Sequence, residues 1–476
     1  MLNKKLFKYS VTLSICLAVA SCTPALAPLA ATKSVPESFE KSTDTTNTSS
    51  TPWRSYFKDS NLVSLIDTAL KNNQELQITL QEIEIAKNDI RVRKGALLPS
   101  VGVGVGAGIE KVGRYTSQGA GDASTEIMPG KEMPDPLGDF KLAAYANWEV
   151  DIWKKLRNSK KAAVSRYLST VEGKNFVITN LIAEVADSYY ELLALDSQLD
   201  IVRQNIALQS NALEIVKIQK EAARATELAV QKFQAEVLAS KSMEFNILQN
   251  IKETENKINF LLGQYPQEIK RDKTNFVSLM PSIIHSGIPS QMLANRPDIK
   301  QAELELEAAK LDVKVARAEF YPSLDISAAI GFNAFKPTYL FTLPESLLYS
   351  VAGDLVAPVV NRNAIKAEYS SANARQLQAL YNYERTILNA YLEVSSQLSK
   401  INNLEKSYDL KSQQVAALNR SVDVAGDLFK SARVDYFEVL MTQRDALENK
   451  LELIETKKAQ LNATVHVYRD LGGGWR

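Results

Sequence analysis

Asn72–Val103 reads NNQELQITLQEIEIAKNDIRVRKGALLPSVGV, and Asn295–Ile326 reads NRPDIKQAELELEAAKLDVKVARAEFYPSLDI. Lys87, Asp89, Val92 and Pro99-Ser100 fall on Lys310, Asp312, Val315 and Pro322-Ser323, all at the single offset that separates Pro99 from Pro322. Asp200, Gln204 and Ala207 fall on Asp409, Gln413 and Ala416, and Ala223-Arg224 on Ala432-Arg433, at a second and smaller offset. The chain is an internal duplication whose first half is the longer, by the difference between those offsets. The Gly-, Ser- and Pro-rich stretch Val112–Leu137 is where a loop would absorb the extra length without upsetting helix register.

Each half reads as helix, strand, loop, strand, very long helix, tight turn, helix. Pro99 and Pro322 end a helix and open an extended run. Val101, Val103, Val105, Ala107 and Ile109 then alternate with glycines, and Leu142, Ala144, Ala146, Trp148, Val150 and Ile152 alternate with Lys141, Tyr145, Asn147, Glu149 and Asp151. Leu324, Ile326, Ala328, Ile330 and Phe332 repeat the pattern, and a weaker run covers Tyr349–Ala357. Such period-two segments of about ten residues fit membrane-barrel strands. Taken alone they favour two soluble hairpins that pack one face on a core, and their context reverses that preference. Beyond them the sequence predicts helices over about 156–221, 226–262, 363–430 and 435–471. The longest could extend roughly 100 Å at 1.5 Å per residue. Ile387, Tyr391, Val394, Leu398 and Ile401 step by four and three; Leu447, Leu451, Ile454, Leu461, Val465 and Tyr468 keep the heptad apart from Lys458.

The chain has 476 residues with 56 Lys+Arg against 55 Asp+Glu, so no basic field suited to nucleic acid is present. Two His and two Cys leave too few ligands for a zinc or haem site, and no cofactor or metal is expected. His285 and His466 read as surface or packing residues. No apolar run reaches the length of a spanning helix, which leaves strands as the route into a membrane.

Lys4, Lys5 and Lys8 precede the apolar Val11–Ala20, a secretory signal over 1–21. Val19-Ala20-Ser21-Cys22 looks like a lipobox, with Cys22 carrying covalent lipid; the alternative is an ordinary signal with an incidental cysteine. Residues 22–52 read as a lipidated N-terminus and a Ser-, Thr- and Asn-rich tether with no core of its own. The repeats then cover 53–262 and 291–471, with hairpins at about 99–153 and 323–358. A linker spans 263–290, and a short tail spans 472–476.

Four strands cannot close. A lone copy would leave edge N–H and C=O groups in hydrocarbon at several kcal/mol each. Two copies give eight strands, too narrow for an aqueous lumen, whereas three give twelve. The expected architecture is an α+β membrane protein: a homotrimeric twelve-stranded β-barrel, four strands per chain, continued by a long α-helical coiled-coil periplasmic tunnel.

Trp53, Phe57, Asp59, Leu62, Leu65 and Asn72, then Leu261-Leu262-Gly263, Asn295-Arg296-Pro297-Asp298-Ile299 with Ala302-Glu303, Tyr321-Pro322, Asn361-Arg362-Asn363, Asp435-Tyr436, Val439-Leu440, Gln443-Arg444 and Leu471-Gly472-Gly473-Gly474-Trp475 follow one another in an order that resembles the TolC-like outer membrane factors, lipoprotein branch. The resemblance covers nearly the whole mature chain. It implies an outer-membrane exit duct, partnered by a periplasmic adaptor and an inner-membrane RND-type transporter and conducting passively, with no enzyme activity. It also implies a tunnel closed where the helix pairs turn, here Glu221–Leu228 and Lys430–Phe437. Arg433, Asp435 and Tyr436 are candidates for that constriction, with Arg224 and Glu227 on the facing turn. Asp435 reads equally well as a helix N-cap. The competing reading is a structural or adaptor-type coiled-coil lipoprotein of the cell envelope without a pore, which leaves the duplicated alternating strands unexplained. A secreted hydrolase finds no nucleophile motif, and carboxylates such as Glu303, Glu305 and Glu307 sit on a helix face.

Overall fold

A computed structural model describes residues 35–39, 46–273, 276–281, 285–360, 362–431 and 433–476. The lipidation candidate Cys22 and the signal lie outside the described residues. In chain order the main elements are α1 (Ser60–Asn72), α2 (Gln74–Gly95), β1 (Ser100–Glu110), β2 (Leu137–Glu149), α3 (Lys155–Glu221) and α4 (Glu227–Leu261). They continue with α5 (Pro289–Asn295), α6 (Pro297–Ala318), β3 (Ser323–Ala334), β4 (Leu347–Val356), α7 (Asn363–Lys430) and α8 (Tyr436–Asp470). The chain divides into two compact units.

The first unit holds the strands with residues 84–168 and 304–381. The four strands form one antiparallel sheet in sequence order. Helix α2 stops at Gly95, just ahead of Pro99, and β1 begins directly after that proline, whose ring cannot continue a helix. The loop between β1 and β2 runs over 111–136, more than twice the length of the 335–346 loop between β3 and β4. That inequality accounts for all the extra length of the first half. The longer loop holds a short helix, Ser117–Asp122, and a small hairpin, Glu126–Met128 with Lys131–Glu132. Asp151, whose side chain is almost fully buried, accepts from the Leu156 and Arg157 amides at 3.0 Å each and so starts α3. Ala162 of α3 packs with Ala308 and Leu311 of α6.

The second unit holds residues 31–83, 169–303 and 382–476. Its main core joins α1 (Leu62, Ile66), α3 (Tyr189, Leu192, Val202), α4 (Ile247, Ile258) and α8 (Ile454, Leu461, Val465, Tyr468). A second cluster joins Met292 and Ile299 to Val394 of α7 and Val467 of α8. The heptads read from sequence supply these contacts: Ile454, Leu461, Val465 and Tyr468 are buried, and Ile387, Tyr391, Leu398 and Ile401 flank Val394. Lys458, the interruption, reaches Glu191 of α3 and Glu455 at 2.7 Å each, so the break is an interhelical ion pair. Between α3 and α4, Asn205 donates to Ser240, which donates to Gln209 at 2.8 Å, a buried polar set that fixes their register.

Two glycines close the repeats in the same way. Gly263 (φ +65°) and Gly472 (φ +89°) follow α4 and α8, and a Cβ on either would lie 2.6 Å from a carbonyl oxygen, that of Asn72 or Asn295. Trp475 donates to the Asn295 carbonyl at 3.2 Å. The linker after Gly263 is held by Arg271, which binds Asp196 of α3 and Glu255 of α4 with its side chain only 2% exposed.

The tether expectation needs correction at its C-terminal end. Phe39 is buried, and its ring stacks on Tyr391 at 5.3 Å. Asn47 bridges Ser286, the Thr48 amide donates to the His285 carbonyl at 2.9 Å, and Ser49 is buried. Backbone pairing satisfies these small polar residues, so low hydrophobicity did not leave them without partners.

Candidate functional site

Antiparallel partners share a face, so the register sorts the sheet into two surfaces. Val101, Val103 and Val105 pair with Ala146, Ala144 and Leu142, which pair with Ala328, Ile330 and Phe332; Val351, Tyr349 and Leu347 complete the rows. Apart from the Tyr349 hydroxyl, that face is apolar. The opposite face carries the β1 glycines with Lys141, Tyr145, Asn147, Glu149, Asp325, Ser327, Asn333, Ser350 and Asp354. On the edge strands the apolar residues are bare: Val105 is 81% exposed and Val351 79%. Beside the helices, the Trp148 indole donates to the Leu97 carbonyl at 3.1 Å and that of Trp153 to Pro322 at 2.7 Å, with Trp153 stacked on Tyr321. Such polar-ended rings suit a membrane boundary. No described helix is long and apolar enough to cross a membrane.

The two helix turns use one backbone design. The Arg224 amide donates to the Gln219 carbonyl at 2.7 Å, and at the matching place in the second repeat the Arg433 amide donates to the Leu428 carbonyl at 2.9 Å. Ala223 takes φ +54°, a conformation that usually calls for glycine. Around the turns, Leu213, Val216, Val230, Phe233 and Leu440 form a cluster flanked by Ala225, Phe429 and Tyr436. Tyr436 therefore packs partly inward, whereas Arg224, Arg433 and Asp435 stand exposed.

Asp435 occupies the N-cap position of α8, yet its side chain makes no cap bond. Glu227 is engaged within its own turn: it pairs with Lys220 and accepts from Gln231 at 2.7 Å. The Lys220 bond, and after it the Gln231 bond, hold its carboxyl below the usual carboxylate range. Among the described residues, none of the five turn candidates bonds to another of the five. Lys220, Thr226 and Gln231, which fasten the first turn, escaped the sequence reading, although Glu227–Gln231 has the i,i+4 spacing of a helix-face pair.

A charged cluster at the junction of α5 and α6 was also missed. Arg296, 6% exposed, binds Asp298 at 2.6 and 3.0 Å, Glu393 at 2.9 Å and the Asp470 carbonyl at 2.8 Å. Asp470 is buried beside it, and burial raises its carboxyl pKa against the opposing pull of Arg469. His466 meets Asp187 at 2.7 Å, and no described group of His, Cys, Asp or Glu could hold a metal.

A sheet with one apolar and one polar face, in a chain that also carries two pairs of long helices, is the make-up of an outer-membrane channel protein. The family model described as "Outer membrane efflux protein" matches residues 65–264 and 288–473, and the chain belongs to that family. It is 29% identical to the pyoverdine export outer membrane protein OpmQ of Pseudomonas aeruginosa over 425 residues, 89% of this chain and 87% of that one. It is 26% identical to the cation efflux system protein CusC of Escherichia coli O6:H1 over 424 residues, 89% and 88% of the two chains. The fold matches a solved CusC structure with a TM-score of 0.82 at 24% identity, over 95% of this chain and 100% of that one. It matches the open state of the Neisseria gonorrhoeae MtrE channel with 0.83 at 20% identity, over 96% and 99%. The chain is an outer membrane efflux protein with the fold of such channels.

Proposed function

We propose that three copies join β4 of one to β1 of the next, closing a twelve-stranded barrel through which cargo passes without any bond being made or broken. The observation that carries this reading is the sheet: the apolar face of its edge strands is bare, and among the described residues its two edges have no strand partner. In water such edges invite aggregation, and in lipid each unpaired group costs several kcal/mol. Pairing with sister copies removes both problems. The polar face, with Lys141, Asn147, Glu149, Asp325 and Asp354, then lines the lumen.

The duct works with a periplasmic adaptor and an inner-membrane RND-type transporter, and Cys22 carries the lipid that anchors the N-terminus. Arg433, Asp435 and Tyr436, with Arg224 and Glu227, form the periplasmic gate. Within that set the free carboxylate of Asp435 is the group best placed to act on ions, because Glu227 is neutralised by Lys220. Relatives are named for pyoverdine export, cation efflux and toluene efflux, cargoes unlike in charge and size. A passive duct accommodates all of them, and the inner transporter selects among them.

The test is the mass of detergent-extracted protein together with its conductance in a planar bilayer. A three-chain particle that passes ions is expected; a single chain without a pore overturns the reading.

A further inference from the structure

The two hairpins of the sheet do not reach equally far. Val105, Leu142, Phe332 and Leu347 lie side by side in one row of the apolar face. Past that row the β1–β2 ladder runs on to Glu110 and Leu137, and Ala107, Ile109 and Phe140 carry the apolar face with it. On the other side β3 adds only Ala334, opposite Phe140, and β4 begins at Leu347 itself. Each strand residue adds roughly 3.4 Å. An apolar band made from strands alone would therefore stand lower along the second hairpin than along the first.

The loop 335–346 makes up the difference. Phe341 sets its ring edge-on against Phe332, with centroids 5.5 Å apart. Because Phe332 belongs to the apolar face, this contact brings Phe341 to that side of the sheet. Phe341 is 66% exposed and Leu343 61%. Neither hangs on a slack chain. The Tyr339 amide donates to the Lys336 carbonyl at 3.1 Å, that of Thr342 to Tyr339 at 3.0 Å and that of Ser346 to Thr342 at 2.9 Å. The Ser346 hydroxyl donates to the Thr342 carbonyl as well, at 2.6 Å. Scattered apolar residues on a surface carry no message, but these two are held out on a turned backbone beside a face that is already apolar. The longer loop is of another kind, with charges recurring at Lys111, Arg114, Asp122, Glu126, Lys131 and Asp135.

We infer that the β3–β4 loop lies against the membrane, with Phe341 and Leu343 among the lipid chains just beneath the headgroups. There they complete the apolar band that the shorter strands leave unfinished. Lipid is the occupant because the two side chains continue the face that a barrel turns to lipid, and a band of uneven height would force the bilayer to thin at every second hairpin. The loop end of the sheet lies away from the joints at Pro99 and Pro322, so the leaflet concerned is the outer one. This rests on the barrel reading above, to which it adds that the shorter loop is part of the wall and leaves the lumen uncovered.

Both native cysteines, Cys16 and Cys22, precede these strands and loops in sequence, so labelled unsubstituted protein gives the background. Full-length protein carrying Phe341→Cys or Leu343→Cys is labelled with an environment-sensitive fluorophore and placed in phosphatidylcholine vesicles. Labels at both positions should lose most of their emission when the lipid carries a nitroxide near the headgroup. They should lose less with a nitroxide near the chain end, and should resist iodide in the water. A label at Tyr115→Cys, in the longer loop, should respond to iodide and not to lipid, and one at Val105→Cys should respond to lipid. Iodide quenching at 341 and 343 to the level seen at 115 overturns the inference and leaves the barrel standing. Protection from both lipid and iodide would mean that a neighbouring copy covers the loop, and it overturns the inference too. A label at 105 that no lipid quenches overturns the barrel and the inference together. Independently, Phe341→Ser with Leu343→Ser should leave single-channel conductance unchanged; an altered conductance would set the loop over the lumen and overturn the inference.

Discussion

Thr226 and Asp435 hold the same place in the two repeats, yet only Thr226 caps its helix, accepting from the Ala229 amide at 3.3 Å. The first turn is further fastened by Lys220 and Glu227, and the second has no matching clasp among its described residues. Thr226→Ala should therefore destabilise its turn by about 1 kcal/mol, as loss of a helix cap generally does. Asp435→Ala should cost a few tenths at most. Amide hydrogen exchange at residues 219–231 and 428–440 measures both. The same Asp435→Ala protein in a planar bilayer should show altered cation selectivity in the closed state; equal selectivity and conductance would remove Asp435 from the gate.

Arg271 ties the linker to two helices through Asp196 and Glu255, all three almost fully buried. Removing the cation alone strands two carboxylates. Arg271→Ala should lower stability by about 3–5 kcal/mol, the usual penalty for breaking a buried ion pair from one side. Denaturant unfolding checks the magnitude. Limited proteolysis should show earlier cleavage within 263–281, and an unchanged cleavage pattern would mean that the linker is held by other contacts.

Asp470 gives a pH dependence whose sign follows from its burial. Desolvation raises its pKa above the unfolded value of about 3.9. Between those two values the folded state binds more protons than the unfolded state, so stability falls as pH rises through that window. The destabilisation is complete above the folded pKa and absent below the unfolded one. Asp470→Asn should accordingly be at least as stable as the parent at pH 7, with its advantage vanishing near pH 3. Thermal unfolding at both pH values measures this; a variant weaker at pH 7 would show that the charge bond from Arg469 outweighs burial.

Gly263→Ala and Gly472→Ala should each cost more than about 1 kcal/mol, because both positions combine positive φ with a carbonyl in the space a Cβ would fill. The double variant should come close to the sum, since the two sites lie at different helix junctions. Unfolding midpoints of the three proteins decide it.

The features legible in the sequence are those with a period. Alternation marks the strands after Pro99 and Pro322, heptads mark Ile454, Leu461, Val465 and Tyr468, and the two repeat offsets reveal the duplication together with its unequal loops. What escaped has no local signature. Phe39 on Tyr391, Arg271 on Asp196 and Arg296 on Glu393 join positions far apart in the chain, and nothing in the intervening sequence announces them. At the turns, the spacing located the candidates but could not tell which carboxylate was free. Glu227 and Asp435 look alike as letters, and only the fold shows that one is already neutralised.

The unequal loops, 111–136 after β1 and 335–346 after β3, set a limit on symmetry. In a ring of three chains they alternate long and short around the mouth, so a barrel that is near-sixfold along its strands ends in a strictly threefold rim. An antibody or phage tail fibre reading that rim would meet three identical footprints in place of six. Trimming the long loop to the length of the short one would restore the higher symmetry at that end alone.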